Sequence, residues 1–432
     1  MVATIENIKT KWLGAFPEHW QVLRIKNLFQ EMDIRSETGS EELLSVSHYT
    51  GVTLKRESLE NEDDHITNAE SLVGYKLVGQ QDLVINIMLA WNGSLGISPF
   101  TGITSPAYCV YRIKGNNNPE YFGYLFTTNL FKAEFRRHST GIIDSRLRLY
   151  SDKFFSIFSV VPPKEEQDEI VQHIKSQSDK INLFIQKKQR FIELLKEQRQ
   201  RIITHAVTKG TNGNIKLKLT GIEGLNQIPE HWEIRRLKNV SKTISKGTTP
   251  STVGSETTEE GVIRFLRAEN LYENKITLTP TFYIDEQTDE ILFRSRLEIN
   301  DVLLVIAGAT LGRTGIVTEN VLPANTNQAV CFIRPEKVLP EFLLLWMQTN
   351  YITAQIWLNA TQAAQPNLAM GKISTFYIVY PPIEEQEQIV AHIKTETATI
   401  DTAIAKAERE IELIKEYKAA MISEAVMGKL KI

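Results

Sequence analysis

The sequence predicts a mixed α/β (α+β) protein written twice: two globular lobes, each followed by a long helix, the two helices packed together as an antiparallel coiled coil. Three observations predict it. Phe16-Pro17-Glu18-His19-Trp20 recurs 212 residues later as Ile228-Pro229-Glu230-His231-Trp232. Pro162-Pro163-Lys164-Glu165-Glu166-Gln167 returns as Pro381-Pro382-Ile383-Glu384-Glu385-Gln386 at a spacing of 219. Each copy of this second motif opens a run whose apolar residues step by four and three, the signature of a helix with one buried seam.

Between the markers, both copies show the same order of elements. In the first lobe, Asp82 to Ile87 and Ala107 to Ile113 are apolar runs of strand length, and Tyr121 to His138 has helical periodicity. In the second, Val262 to Leu266, Asp301 to Ile306 and Ala329 to Ile333 are the strands, and Pro340 to Leu358 is the helix. Cys109 and Cys331 sit in corresponding strands and are expected in the cores, free of a disulfide or a metal.

From Pro162 to Val207 the two helical segments align without a gap, and 22 of 46 positions are identical, whereas the lobes share few side chains. The prolines fix a sharp start, and the acidic pairs that follow suit a helix N-terminus. The seam runs Ile181, Ile185, Lys188, Ile192, Leu195, Arg199, Ile202, Ala206, and in the second copy Ile400, Ile404, Ala407, Ile411, Ile414, Lys418, Met421, Ala425. The seam residues imply about 30 residues, or about 45 Å, per helix. Gly210 and Gly428 mark the ends. Arg199 and Lys418 fill equivalent seam positions, where a cation fixes register, meets an acidic partner or snorkels to water.

The bulk numbers bound the function. The chain has 432 residues, a formal charge of −3 and 42% hydrophobic residues, which suits two or three ordinary domains. No apolar stretch is long enough to span a bilayer and no export pattern opens the chain, so a cytoplasmic protein is expected. No phosphate-cradling Gly-x-x-x-x-Gly-Lys-Ser/Thr loop is present. Gly308-Ala-Thr-Leu-Gly312-Arg-Thr-Gly315 leads towards another strand and reads as a tight turn. No Cys/His cluster has metal-ligand spacing, and no catalytic set is defined. The repeated His19/His231 and His173/His392 lie inside the structural markers, where packing or surface roles are expected.

The loops carry groups that bond to bases and phosphates. The first lobe offers Lys132, Arg136, Arg137, Arg146 and Arg148, with Asp144 against them. The second offers Lys246, Thr248, Thr249, Arg264, Arg267, Asn270, Arg313, Asn325 and Asn327, then Gln362, Gln365 and Asn367. Arginine suits guanine edges, and asparagine or glutamine suits adenine edges; lysines and hydroxyls more often hold the backbone. A polynucleotide partner is therefore the leading reading. The rivals are a tandem-domain coiled-coil scaffold that never touches DNA, and a hydrolase or transferase using the repeated His and Glu residues.

The assembled motifs resemble the DNA specificity subunits of type I restriction-modification systems. The carriers are Trp12-Leu13-Gly14 with Pro17-Glu18-His19-Trp20, its second copy at Ile228 to Trp232, and Lys246-Gly247-Thr248-Thr249-Pro250-Ser251. Gln365-Pro366-Asn367-Leu368 and both Pro-Pro-x-Glu-Glu-Gln openings complete the set. The resemblance covers nearly the whole chain and implies target-recognition domains at 1–161 (with an N-terminal arm) and 228–380. Spacer helices at 162–210 and 381–432 and a linker at 211–227 would join them. It implies a non-catalytic subunit that reads a bipartite, asymmetric site in double-stranded DNA. Two adenine-modification subunits would dock, restriction and translocase subunits would join, and S-adenosylmethionine, ATP and Mg would sit on those partners. Glu165, Glu166, Gln167 and Arg199, with Glu384, Glu385, Gln386 and Lys418, are the docking candidates. The first lobe lacks the Gly-Thr-Thr-Pro loop and a clear Gln-Pro-Asn-Leu; Glu31 to Ser40 and Gly141 to Leu147 stand near those places.

Overall fold

The strand-like apolar runs of the sequence all find sheet partners, most of them antiparallel. The computed structural model describes residues 10–55, 71–143, 146–361 and 365–430, and Asp144, Ser145 and Gln362 lie outside them. The chain divides into two units, Met1–Lys188 with Arg409–Ile432, and Gln189–Glu408. Each unit therefore combines one lobe, the first part of the helix that follows it and the last part of the other long helix.

In the first unit a four-stranded antiparallel sheet is ordered Phe29–Glu31, Tyr108–Ile113, Leu83–Asn86, Leu95–Ile97. Leu83–Asn86 is buried at every position, which is why it reads as a continuous apolar run. The second unit repeats the sheet as Ser241–Lys246, Val330–Pro335, Val302–Val305, Thr314–Ile316. Both units close with a two-stranded ribbon, Gln21–Arg24 on Phe158–Val161 and Glu233–Arg236 on Tyr377–Tyr380. The second adds Ile263–Leu266, paired in parallel with Ala324–Thr326. Cys109 and Cys331 are buried and free, and the Gly308–Gly315 stretch is the turn between two antiparallel strands. Residues 217–229, within and beside the stretch read as a linker, form a two-stranded hairpin.

An ion pair that sequence reading missed pins both sheets. Asp82, almost fully buried, holds Arg112 by two bonds of 2.8 Å. Asp301 holds Arg334 in the same way, at 2.8 and 2.9 Å. In both copies the carboxylate also accepts a backbone N–H three residues before it, from Gly79 and Glu298.

The lobe helices depart from expectation. Tyr121 to His138 is two helices, Pro119–Phe126 and Asn129–His138, and Pro340 to Leu358 is Pro340–Met347 and Asn350–Asn359. Thr128 and Thr349 explain the breaks. Each hydroxyl donates to a carbonyl of the preceding helix at 2.7 and 2.8 Å, and accepts the third N–H of the next. An N-cap threonine restarts the chain in a new direction while the apolar periodicity continues through it.

The long helices are Lys164–Lys209 and Ile383–Val426, of 46 and 44 residues. At 1.5 Å per residue each is about 65–70 Å long, well beyond the length the seam alone suggested. Every predicted seam position is buried or half-buried. Within each unit the two helices pack antiparallel, since partners move in opposite directions along the chain. Asn182 meets Lys418 and Lys188 meets Glu410 in the first unit; Lys196 meets Glu408 and Arg199 meets Asp401 in the second.

Candidate nucleic-acid interface and its support

The recurrent motifs turn out to be fasteners. The long helix begins after two prolines, leaving the carboxylate of Glu166 near its N-terminus. Trp20 Nε1 donates to Glu166 Oε2 at 2.9 Å, and His19 Nε2 lies 2.6 Å from Oε1. The second copy repeats this, with Trp232 at 2.9 Å and His231 at 2.7 Å from Glu385. Gln167 and Gln386, both buried, donate to the carbonyls of Pro162 and Pro381. Each also accepts the backbone N–H just before a lobe helix, from Asn118 and Leu339. Gly210 and Gly428 adopt positive φ, and a β-carbon on Gly428 would stand 2.5 Å from the Pro17 ring. The motifs thus lock lobe to helix twice over, and His19 and His231 belong to this lock.

Most of the docking candidates make contacts within the chain. Gln167 and Gln386 are enclosed, and the polar atoms of Glu166 and Glu385 are engaged internally. Arg199 pairs with Asp401 at 2.8 Å, and Lys418 donates to Asn182 at 2.9 Å. With a spacing of 219, these are the same contact in the two copies, so register is the role the structure gives these seam cations. Glu165 and Glu384 remain exposed.

In the second lobe, three predicted DNA contacts, Thr249, Arg267 and Asn327, line one cleft of about 490 Å³, with Ser251, Ser255, Glu256 and Thr257. Just before Thr249, position 247 must be glycine, because a β-carbon there would stand 1.8 Å from Thr326 O. Thr248 then donates its N–H to that carbonyl at 3.1 Å, and Pro250 opens a short turn. Arg267 lies 3.6 Å over the Phe282 ring and donates to Thr257 at 2.8 Å. Asn327 Oδ1 accepts from Ala329 N at 3.2 Å. Lys246 is exposed at the end of its strand.

Flat aromatic support recurs. Arg264 lies over Tyr283, Arg313 over Tyr272 and Arg136 over Trp91, at 5.7, 5.4 and 5.3 Å. A guanidinium resting on a ring keeps its N–H edge available to an acceptor in its own plane. Sequence reading missed these rings, although Phe282-Tyr283 is visible as an aromatic pair.

Other candidates face inward. Asn270 is buried; its amide donates to Thr277 O and Pro280 O at 3.1 and 2.8 Å and accepts from Arg267 N. Asn325 is fully buried against Asp289 and Leu292 O. Both carboxamides are spent on bonds inside the lobe. In the first lobe, Arg137 is engaged by the buried Glu134 through bonds of 2.8 and 2.5 Å, which raise its pKa. Lys132 lies beside Gly93, Arg146 is exposed and Arg148 half-exposed. Gln365 and Asn367 are exposed. Among the described residues no group of three or more His, Cys, Asp or Glu could hold a metal ion, and no helix is long and apolar enough to cross a membrane.

Known proteins resemble this chain in both sequence and fold. A family model described as the type I restriction modification DNA specificity domain matches residues 229–413. The type I restriction enzyme EcoBI specificity subunit of Escherichia coli is 24% identical over 276 residues, 62% of this chain and 58% of that protein. The EcoKI specificity subunit of Escherichia coli strain K12 is 21% identical over 207 residues, 47% of this chain and 44% of the relative. The matches thus span about half the length of these curated relatives. A solved structure described as showing complex assembly and conformational transition of the type I R-M system superposes with a TM-score of 0.65 at 14% identity. It covers 96% of this chain and 100% of that one, which establishes a shared fold. This chain is therefore similar to type I restriction-modification DNA specificity subunits, over residues 229–413 by the family model and over nearly its whole length in fold.

Proposed function

We propose that this chain is the DNA-recognition subunit of a type I restriction-modification complex and catalyses no step itself. Each lobe reads one half of a bipartite, asymmetric duplex site. The chain docks adenine-modification subunits, two per chain, and restriction subunits join them. S-adenosylmethionine, ATP and Mg belong to those partners, and the assembly works in the cytoplasm. The domain limits follow the markers: recognition domains at 1–161 and 228–380, spacer helices at 162–210 and 381–432, and the linker at 211–227.

One observation carries the reading. The same lock, Glu166 with His19 and Trp20 and Glu385 with His231 and Trp232, fastens two lobes whose outward side chains differ. A protein that must read two unlike half-sites with one scaffold needs this division. Arg264, Arg267 and Arg313, supported on rings, together with Lys246, supply positive charge despite the overall −3. The scaffold reading has no comparable support.

The test is a domain exchange. Replacing Val22 to Val161 with the corresponding segment of another family member, and mapping methylated adenines in the host genome, should change one half-site and leave the other intact. Change in both halves, or in neither, refutes modular recognition.

A further inference from the structure

The two lobes build the same corner from different chemistry. In the first, helix Asn129–His138 ends at Ser139, Thr140 bridges to Arg148, and Leu149 N donates to Ile87 O at 2.9 Å. In the second, helix Asn350–Asn359 ends at Ala360, Thr361 pairs with Asn367, and Leu368 N donates to Ile306 O at 2.8 Å. Ile87 and Ile306 are themselves equivalent, since both trail the central strand that begins after the buried Asp82 or Asp301. These bonds fix a register that side-chain similarity hides. Leu149 corresponds to Leu368, Arg148 to Asn367, and Arg146 to Gln365.

We propose that this corner makes the two half-sites differ, with Arg146 and Arg148 reading guanine for the first lobe and Gln365 and Asn367 reading adenine for the second. The proposal rests on the DNA-reading function above and assigns bases to it. Arginine presents two parallel N–H donors to guanine O6 and N7, whereas a carboxamide presents one donor and one acceptor to adenine N6 and N7. Arg146, Gln365 and Asn367 are exposed, and Arg148 is half-exposed, its Nη1 donating to Leu147 O at 3.0 Å. The backbone bonds at Leu149 and Leu368 hold both segments to the central sheet, giving the reading atoms a rigid base.

The experiment uses the full chain with whatever subunits co-purify with it, and a pool of randomised DNA duplexes. The doubly substituted Arg146→Gln, Arg148→Asn protein should select sites in which one or two G·C pairs of a single half-site become A·T. The reciprocal Gln365→Arg, Asn367→Arg protein should place G·C pairs in the other half. Affinity for the original site should fall on the order of ten- to a hundredfold and recover on the newly selected one. Unchanged selected sequences, with binding weakened equally on every duplex and the log–log salt slope reduced by about 0.9 per arginine removed, would mean phosphate contact only and overturn the assignment. If the unsubstituted chain selects no sequence, the DNA-reading function itself fails. Thermal melting of each variant checks folding, and either exchange alone decides the matter should the other unfold.

Discussion

Replacing Glu385 with alanine removes the lock of the second lobe, and its cost can be worked from the contacts. Trp232 is fully buried, and its indole N–H has Glu385 as its hydrogen-bond acceptor. A buried donor left unpaired costs about 1–3 kcal/mol. The His231 contact is partly exposed, 45% and 29% on its two side chains, so its loss adds at most about 1 kcal/mol. The sum is about 1–4 kcal/mol. For a unit the size of Gln189–Glu408, each kcal/mol moves the midpoint by about 2–4 °C, so the Tm of that unit should drop by about 2–16 °C. Differential scanning calorimetry of the full chain reads this directly. Glu166→Ala should cost less, because Glu166 is 36% exposed and water can replace part of what is lost. A double-mutant cycle sharpens the test: Trp232→Phe should cost less in the Glu385→Ala background than in the native chain, since the orphaned donor is then gone. A drop below about 2 °C, or additive effects in the cycle, would refute the lock.

Three further outcomes are expected. Asn270→Ala should cost about 2–3 kcal/mol in denaturant unfolding, because its three internal bonds go, while the DNA sequence selected by the folded protein stays the same; an altered sequence would return Asn270 to the interface. Burial pushes the Cys331 thiol up to about 12 from an ordinary value near 9, so it should resist alkylation at pH 8 until the lobe unfolds. Because the folded state holds that proton more tightly, stability should fall as pH rises from about 9 to about 12; rapid native labelling, with no such alkaline loss, would count against this. Finally, inserting one heptad in each long helix adds about 10.5 Å of strut, and the gap between half-sites in the methylated sequence should grow by about three base pairs at 3.4 Å each; an unchanged gap would remove the spacer role.

Much of the architecture was legible because it is local and periodic. The stepping of Ile181, Ile185 and Ile192, and its copy from Ile400, needs only the helical repeat to be read. Pro162-Pro163 and Gly210 announce their ends by backbone preference alone. Leu83-Val84-Ile85 and Val302-Leu303-Leu304 read as strands because both faces are buried. The breaks at Thr128 and Thr349 were missed although the capping threonines are in plain view, since the apolar pattern runs straight through them.

The candidate site was less legible. Arg267 and Asn327 were chosen by residue type and line the cleft, yet Asn270, chosen on the same ground, is enclosed by its own loop. Arg137 looked like part of a basic run and instead serves Glu134, three residues before it. Side-chain type sets what a group can bond; only its surroundings determine whether that capacity is already used.

By itself, then, the sequence determined the duplication, the element order, the helix seam and the family resemblance, all of which depend on spacing along the chain. Tertiary structure decided that Glu166 meets Trp20, that Arg199 meets Asp401, and that Arg146 stands where Gln365 does. Those pairings join residues far apart in sequence or in different copies, and strand register and helix packing set them, through hydrogen bonds that no local pattern encodes.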